Sequence, residues 1–176
     1  STPDGKGKLL LLHKRPNKIR VEETVNNNTK TTIFNGSEGV IINGADTNRL
    51  TGQTLEEIKF NADFDGYFFC YREKAHDLTY EGEISDGRNK FFKIICVQPT
   101  GDSTDIFLDS KSYLLEKTIK RKNGKIRETR MAKYKKIDGI PFPYRLTVTE
   151  NGVSTTQTVK NIRLNVEVSD NLFIIK

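Results

Sequence analysis

The sequence is short of the residue types on which most enzyme and metal sites depend. Its 176 residues include two cysteines, Cys70 and Cys96, and two histidines, His13 and His76. The cysteines have neither CxxC nor zinc-site spacing, and neither histidine lies in a catalytic motif. A nucleophile elbow, an HExxH motif and a phosphate-binding P-loop are also missing. The sequence therefore predicts a protein that is not an enzyme and has no cofactor or metal site.

Long apolar runs are missing as well. No stretch approaches the roughly 20 apolar residues that a membrane-spanning helix needs. The first residues, Ser1-Thr2-Pro3-Asp4-Gly5, do not resemble a signal peptide, although a mature exported protein would also lack one. In an oxidising compartment Cys70 and Cys96 could form a disulfide. The alternative is that both are reduced, small apolar residues of the core.

Positive charge exceeds negative charge, which gives a formal net charge of +6. The hydrophobic content of 35% is typical of a sheet with one face in water, or of a shell that leaves apolar surface free for a ligand. Basic residues concentrate between 117 and 136, across a hairpin centred on Asn123-Gly124. Lys120 should face Arg127 there, and with Arg130 they are candidates for a positive surface that attracts anionic membrane or an acidic partner.

Asn-Gly and Asp-Gly pairs punctuate the chain, and such pairs tolerate the positive φ angles of tight hairpins. They include pairs that begin at residues 4, 35, 43, 86, 123, 138 and 151. The runs between them alternate with period two, as strands with one buried face do. We expect strands near 8–14, 17–26, 29–35, 38–43, 76–85, 89–98, 103–109, 113–122, 125–136, 141–150 and 153–164. This pattern predicts a single, mainly β, antiparallel domain over residues 1–176.

One segment departs from the strand pattern. Thr54 opens the sequence Thr-Leu-Glu-Glu, a capping box, and Leu55, Ile58 and Ala62 follow at helical spacing. A second short helix is expected over 65–72, with aromatic side chains around it. Those aromatic side chains need a buried surface, and the concave face of the sheet is the large apolar surface that we expect to cover them.

Two acidic patterns are interpreted as structural. The sequence from Asn61 to Gly66 resembles the start of an EF-hand loop, but Arg72 occupies the position of the bidentate glutamate. Asp102, Asp105 and Asp109 are spread along one predicted strand and its ends. We therefore expect these three carboxylates to be solvated edge residues.

A short motif carries a family resemblance. Lys14-Arg15-Pro16-Asn17, followed by the hairpin sequence from Phe34 to Val40, resembles the signature of the LolA-type periplasmic carriers of lipoproteins. Asn35-Gly36 takes the place of the family's Asp-Gly pair, and Val40 replaces an aromatic residue. The later sequence, from Asn61 to Pro143, is similar to a subgroup of outer-membrane lipoprotein-sorting proteins. The resemblance covers most of the chain.

The resemblance implies an unclosed antiparallel β-barrel with a short helical lid, in a chain that lacks the family's N-terminal helix and first strand. It implies a periplasmic, non-catalytic carrier of lipoprotein acyl chains or another lipid, served by a membrane-associated donor or acceptor protein. Arg15 takes the latch position, where the family's arginine contacts the lid. The carbonyls at the ends of the lid helices are its expected acceptors. The expected ligand-binding residues are Ile19, Val21, Ile33, Leu55, Ile58, Phe64, Phe68, Ile94 and Ile106.

Two other functions stay open at this point. The same fold could be a protein-interaction or sensor module of the cell envelope, which binding of an apolar dye or lipid would distinguish from a carrier. A basic β domain could also bind nucleic acid, with a steep dependence on salt. Nucleic-acid surfaces usually add exposed aromatic side chains, and only Tyr134 lies near the basic segment, so no nucleic-acid partner is expected.

Overall fold

The structure is a computed structural model, and it describes residues 7–122 and 124–175. Within these residues the chain is mainly β, with two antiparallel sheets, one α-helix and one 3-10 helix. Neither sheet closes on itself, because each has two edge strands. The expected fold class, an unclosed antiparallel β structure with a short helical insert, is confirmed. The predicted turns at Asp4-Gly5 and at Asn123 lie outside the described residues.

The chain divides into two compact units. Unit 1 contains the residues up to Gly66 and those from Asn165 onward, whereas unit 2 is the continuous stretch Tyr67–Leu164. Unit 1 is therefore built from both ends of the sequence, and unit 2 lies between them in chain order. The organisation as one domain over 1–176 stays a prediction.

Sheet 1, in unit 1, is a meander in which each strand pairs with the next along the chain. Its strands are β1 (Lys8–Lys14), β2 (Lys18–Val25), β3 (Asn28–Phe34), β4 (Gly39–Asn43) and β5 (Asp46–Arg49). Asn26 and Asn27 have φ angles of 49° and 63°, as a two-residue hairpin loop of type I′ requires. This turn sets Ile19 opposite Phe34.

Strand alternation divides the side chains of sheet 1 between two faces. The helix face carries Ile19, Val21 and Phe34, which pack with residues of α1 (Gly52–Ala62). The tail face carries Ile33 and Val40, which pack with residues of the C-terminal segment, 165–175. Apolar side chains are therefore buried on both faces of this sheet.

Phe173 anchors the C-terminal segment to the tail face. It lies in the 3-10 helix Asp170–Phe173, its side chain is 2% exposed, and it packs in one cluster with Ile33 and Val40. The preceding residue, Leu172, is 39% exposed, and its carbonyl accepts a hydrogen bond from Arg20 Nη1 at 3.0 Å. The segment therefore covers apolar surface that would otherwise face water.

Asp170 attaches the same segment to β1 and β2 through two lysines. Lys14 Nζ lies 2.9 Å from one Asp170 carboxylate oxygen, and Lys18 Nζ lies 2.8 Å from the other. Hydrogen bonds from Lys18 and Lys14 lower the pKa of Asp170 from 3.8 to about 2. The folded state thus favours the charged carboxylate. The stabilising contribution is complete above the unfolded pKa and is lost as the pH falls through about 2.

We expect the amides of segment 165–175 to lose protection from hydrogen exchange as the pH falls from 3.8 to about 2. Asp170→Asn removes the charge, so its protection should be reduced at neutral pH and should change little over that range. Asp46→Asn alters an exposed carboxylate of β5 and is the control. The measurement is exchange followed by mass spectrometry, corrected for intrinsic rates. Equal protection of wild type and Asp170→Asn at neutral pH would contradict this attachment.

Sheet 2, in unit 2, is a second meander of consecutive antiparallel strands. Its strands are β6 (Asp77–Asp86), β7 (Asn89–Val97), β8 (Ser103–Asp109), β9 (Leu115–Lys122), β10 (Lys125–Ile137), β11 (Ile140–Glu150) and β12 (Val153–Thr158). The edges of the sheet are β6 and β12. The last strand ends at Thr158, earlier than the predicted limit of 164.

The helix begins earlier than the capping box predicted. Its N-cap is Thr51, and it runs from Gly52 to Ala62. Thr54 already has helical backbone, and its hydroxyl donates to the Thr51 carbonyl at 2.9 Å. That backward hydrogen bond is typical of threonine inside a helix, so the predicted start at Thr54 is wrong.

The second helix, predicted over 65–72, is also wrong. Residues 64–75 form consecutive turns. Gly66, Cys70 and Ala75 have φ angles of 65°, 53° and 52°, which a right-handed helix does not contain. The aromatic residues of this segment are therefore carried by turns and not by a helix.

Candidate functional site

Four of the predicted ligand-binding residues meet on the helix face of sheet 1. Ile19 is 3% exposed and packs in one cluster with Ile58 of α1, while Val21 and Leu55 are partly buried against it. Phe34 completes the cluster from β3. The four predicted residues come from two elements, β2 and α1, and form one apolar contact.

The local sequence explains this arrangement. Ile19 and Val21 are two residues apart on β2 and therefore point to the same face. In α1, Leu55, Ile58 and Ala62 are three and four residues apart, which places them on one side of the helix. Ile58 and Ala62 are buried, and the opposite side of α1 carries polar residues such as Gln53.

Arg15 joins the turn between β1 and β2 to the residues that follow α1. Its Nη1 donates to Asp65 Oδ2 at 2.9 Å, and its Nη2 donates to Asp65 Oδ1 at 2.7 Å. Its guanidinium carbon also lies 5.3 Å from the ring centroid of Phe64. The ring of Phe64 in turn packs edge-on against His13, with centroids 5.6 Å apart. Arg15 thus holds the segment after α1 through a two-point ion pair and a cation–π contact.

The acceptor of Arg15 differs from the one expected. The sequence predicted free carbonyls at a helix end, whereas the structure has the carboxylate of Asp65. The hydrogen bond to Asp65 and the charge of Asp65 raise the pKa of Arg15, with a further contribution from the charge of Asp63. Burial lowers the pKa of His13. The role of Arg15 as a latch stays a prediction, but its side chain is placed to tie α1 to the sheet.

Ile33 lies on the opposite face from Ile19 and Val21. In the β2–β3 register Ile33 pairs with Arg20, and it packs with Val40 on the tail face. Ile33 therefore does not share the helix face with Ile19 and Val21, and its contact with a ligand stays a prediction. A one-residue difference along a strand reverses the direction of a side chain, and alternation alone could not tell which of the two faces Ile33 would join.

The remaining predicted ligand residues belong to unit 2. Ile94 and Ile106 lie directly opposite each other on β7 and β8, and Ile106 is fully buried. Phe68 lies in the turn segment 64–75 and is exposed. The structure thus divides the predicted set between the two units, and the ligand contacts of these three residues stay predictions.

The two cysteines are free, and both belong to unit 2. Cys96 is fully buried on β7, as expected for a small core residue, whereas Cys70 is exposed. The alternative of a disulfide between them is therefore wrong. Burial raises the pKa of the Cys96 thiol, and the charge of Asp77 raises it further.

We expect a thiol reagent to react with one cysteine in the native protein and with both after denaturation, without any reductant. Cys70 should be the fast site because it is exposed, and Cys96 should be slow because the thiolate is disfavoured by burial. The measurement is titration with an aromatic disulfide reagent that releases a coloured thiolate, whose absorbance is followed over time. Cys70→Ser is the control that should abolish the fast phase. Absence of titratable thiol in the denatured, unreduced protein would contradict this assignment.

The basic hairpin has the predicted register, since Lys120 lies opposite Arg127 and Lys117 lies opposite Arg130. Arg127 also bonds Glu150, with Nη2 2.9 Å from Oε2, and Arg130 bonds Glu128. These carboxylates offset part of the positive charge. The attraction of Lys120, Arg127 and Arg130 for anionic membrane or an acidic partner stays a prediction.

Asp105 is not the solvated edge residue that was expected. It lies on β8, an inner strand of sheet 2, and it is buried. Arg121 Nη1 lies 2.9 Å from its Oδ1, and Lys93 Nζ lies 3.7 Å from its Oδ2. Two cations from the flanking strands therefore compensate the buried carboxylate, which points to a structural role.

The described residues offer no group of three or more His, Cys, Asp or Glu side chains that could hold a metal ion. In the same part of the chain, none of the helices combines the length and the apolar character required to cross a membrane.

Comparisons with solved structures identify the fold. The chain is similar to a LolA superfamily protein from Nitrosomonas europaea, with a TM-score of 0.66, 12% identity, and coverage of 99% of this chain and 86% of that one. It is similar to a candidate outer membrane lipoprotein-sorting protein domain from Vibrio parahaemolyticus, with a TM-score of 0.65, 14% identity and coverage of 95% and 80%. A DUF1329 family protein from Desulfovibrio piger gives a TM-score of 0.65, 14% identity and coverage of 94% and 79%.

Sequence comparisons add nothing to this result. No protein-family model matches the chain. A search of the curated proteins gives no significant match. The structural similarity shows that the chain has a LolA-like fold.

Proposed function

We propose that this chain is a non-catalytic, periplasmic carrier that shelters the acyl chains of a lipoprotein, or another lipid, in outer-membrane lipoprotein sorting. A membrane-associated protein would deliver or accept the ligand. The LolA-like fold and the lipoprotein-sorting description of one similar structure support this class of function. The proposed ligand site within unit 1 is the helix face of sheet 1, under α1.

One observation carries the proposal. The helix face is covered by a single helix of 11 residues, which buries only Ile58 and Ala62. Beyond that apolar contact, the segment that follows the helix is held by the ion pair between Arg15 and Asp65. A helix of this length has little stability of its own in water, so it can leave the sheet at modest cost.

The energetics of apolar burial explain why a helix and a lipid would alternate on this surface. Uncovered apolar surface costs about 25 cal/mol per Å², so the helix face is unfavourable when it is bare. In the empty protein Leu55 and Ile58 cover Ile19 and Val21. In the loaded protein an acyl chain would cover the same residues. Exchange of one cover for the other needs no chemical step.

We expect Leu55→Glu to increase the affinity for a fluorescent triacylated lipopeptide, because a charge in the apolar contact weakens the hold of α1 on the surface for which the lipopeptide competes. Leu55 is only partly buried, so the variant should still fold. Gln53→Glu introduces the same side chain on the exposed side of α1 and is the matched control. The measurements are fluorescence titration and circular dichroism. Failure of the wild type to bind the lipopeptide, or equal binding by a folded Leu55→Glu, would contradict the proposal.

A further inference from the structure

A cleft of about 510 Å³ lies in unit 1 between the tail face of sheet 1 and the C-terminal segment. Five branched aliphatic side chains line it: Ile33, Val40, Ile42, Ile174 and Ile175. Its volume falls within the range of cavities that bind small molecules. The other three lining residues are Arg20, Thr47 and Asn171.

This cleft is separate from the site proposed for the acyl chains of a lipoprotein. Ile33 lines it from the tail face, whereas Ile19 points to the helix face. The two faces are separated by the backbone of the same sheet. A ligand in the cleft would contact the C-terminal segment, and it would not contact α1.

Arg20 is held in a fixed position in the wall. Its Nε donates to Glu22 Oε1 at 2.8 Å, and its Nη1 donates to the carbonyl of Leu172 at 3.0 Å. Lys18 lies two residues away on the same face of β2, and Lys14 lies opposite Lys18 on β1. Lys14 and Lys18 both form ion pairs with Asp170, and Arg20 forms one with Glu22. Three cations are thus paired with two carboxylates. These five side chains together carry a net positive charge, and Arg20 is the one among them that lines the cleft.

We propose that this cleft binds a single-chain amphiphile with an anionic carboxylate head, of which a long-chain fatty acid is the simplest example. The aliphatic side chains that are still partly or fully exposed, Ile42, Ile174 and Ile175, take the hydrocarbon chain, since apolar surface is stabilised by covering it. Arg20 takes the carboxylate, because a guanidinium fixed by other hydrogen bonds loses little freedom on binding an anion. Occupancy adds contacts between the tail face and Ile174 and Ile175, so it also stabilises the C-terminal segment on the sheet.

The test is titration of the full chain with palmitic acid and with methyl palmitate, followed through isoleucine methyl signals in NMR. Saturable shifts at Ile42 and Ile175 report the cleft, whereas shifts at Ile19 and Ile58 report the helix face. We expect palmitic acid to shift the first pair in a one-to-one manner, and Leu55→Glu should leave those shifts unchanged. Absence of binding in the cleft can thus be distinguished from absence of binding on the helix face.

Two variants separate the apolar and the charged parts of the proposal. Thr47 lines the cleft from the exposed strand β5, so Thr47→Trp should fill the space and abolish the shifts at Ile42 and Ile175. Thr29→Trp, at an exposed position of the same sheet outside the cleft, is its control. Arg20→Gln should remove the preference for the acid over its methyl ester, which we expect to be about tenfold.

Three outcomes would overturn the proposal. The first is that palmitic acid gives no saturable shift at Ile42 and Ile175 in the wild type. The second is that Thr47→Trp, shown to be folded, responds as the wild type does. The third is that acid and ester bind equally in the wild type, which would remove the carboxylate from the recognised chemistry.

Discussion

Replacing Phe173 by alanine is expected to lower the free energy of unfolding of unit 1 by about 3–5 kcal/mol, the usual loss for a fully buried phenylalanine. Phe173 is 2% exposed and fills the contact between the C-terminal segment and Ile33 and Val40. Its removal would leave a cavity on the tail face that the sheet cannot close. The cost would therefore include both lost burial and empty volume.

Leu172→Ala is the matched control for this experiment. Leu172 is the adjacent residue and is 39% exposed, so its truncation should cost much less. Its carbonyl, which accepts from Arg20, is unchanged by the substitution. If Phe173→Ala cost no more than Leu172→Ala, the segment would not be part of the folded core of unit 1.

The measurement has to report unit 1 specifically. The chain has no tryptophan, and all six tyrosines lie between residues 67 and 144, within unit 2. Intrinsic fluorescence would therefore follow the wrong unit. Hydrogen exchange of the amides of β2, β3 and β4 in increasing denaturant gives the required free energy.

Replacing Arg15 by glutamate is expected to increase the apparent affinity for a fluorescent palmitoyl probe on the helix face by about five- to tenfold. The substitution places a negative charge against Asp65 and near Asp63, where the native guanidinium donates two hydrogen bonds. Repulsion would raise the population in which α1 has left the sheet. Because α1 and the probe compete for the same surface, the probe should bind faster and more tightly.

A charge exchange tests whether the effect arises from this pair. The double variant Arg15→Glu, Asp65→Arg should return the affinity towards that of the wild type, since the attraction is restored in reverse. Arg49→Glu is the control, because Arg49 forms a comparable exposed ion pair with Glu38, at 3.0 Å, elsewhere in unit 1. Unchanged uptake and release by folded Arg15→Glu would remove Arg15 from the mechanism.

Much of the strand pattern could be predicted from sequence because turn residues and alternation are local signals. The Asn-Gly pairs at residues 35 and 151 and the Asp-Gly pair at residue 138 each separate two observed strands. β5 was not predicted, since its residues, Asp46 to Arg49, are polar and all exposed. β5 is part of the sheet because it pairs with β4. The sequence of its four residues contains no pattern that predicts this pairing.

Tertiary contacts account for the predictions that failed or were never made. The face on which Ile33 lies could not be predicted from sequence, because its direction depends on the register with β2. Asp65 was not expected as the partner of Arg15, since the two residues are 50 positions apart. The C-terminal segment was not assigned a role, because Phe173 lies in a short irregular stretch without periodicity. Its contacts are with strands more than a hundred residues earlier.

The discontinuity of unit 1 has a consequence for the time course of biosynthesis. Sheet 1 and α1 are complete once Ala62 has been made, but the residues that cover the tail face follow only after the whole of unit 2. Until then Ile33 and Val40 have no Phe173 to cover them. A nascent chain would therefore pass through a stage at which an apolar sheet surface is open to chaperones or to aggregation. Synthesis of residues 165–175 ends that stage for the tail face.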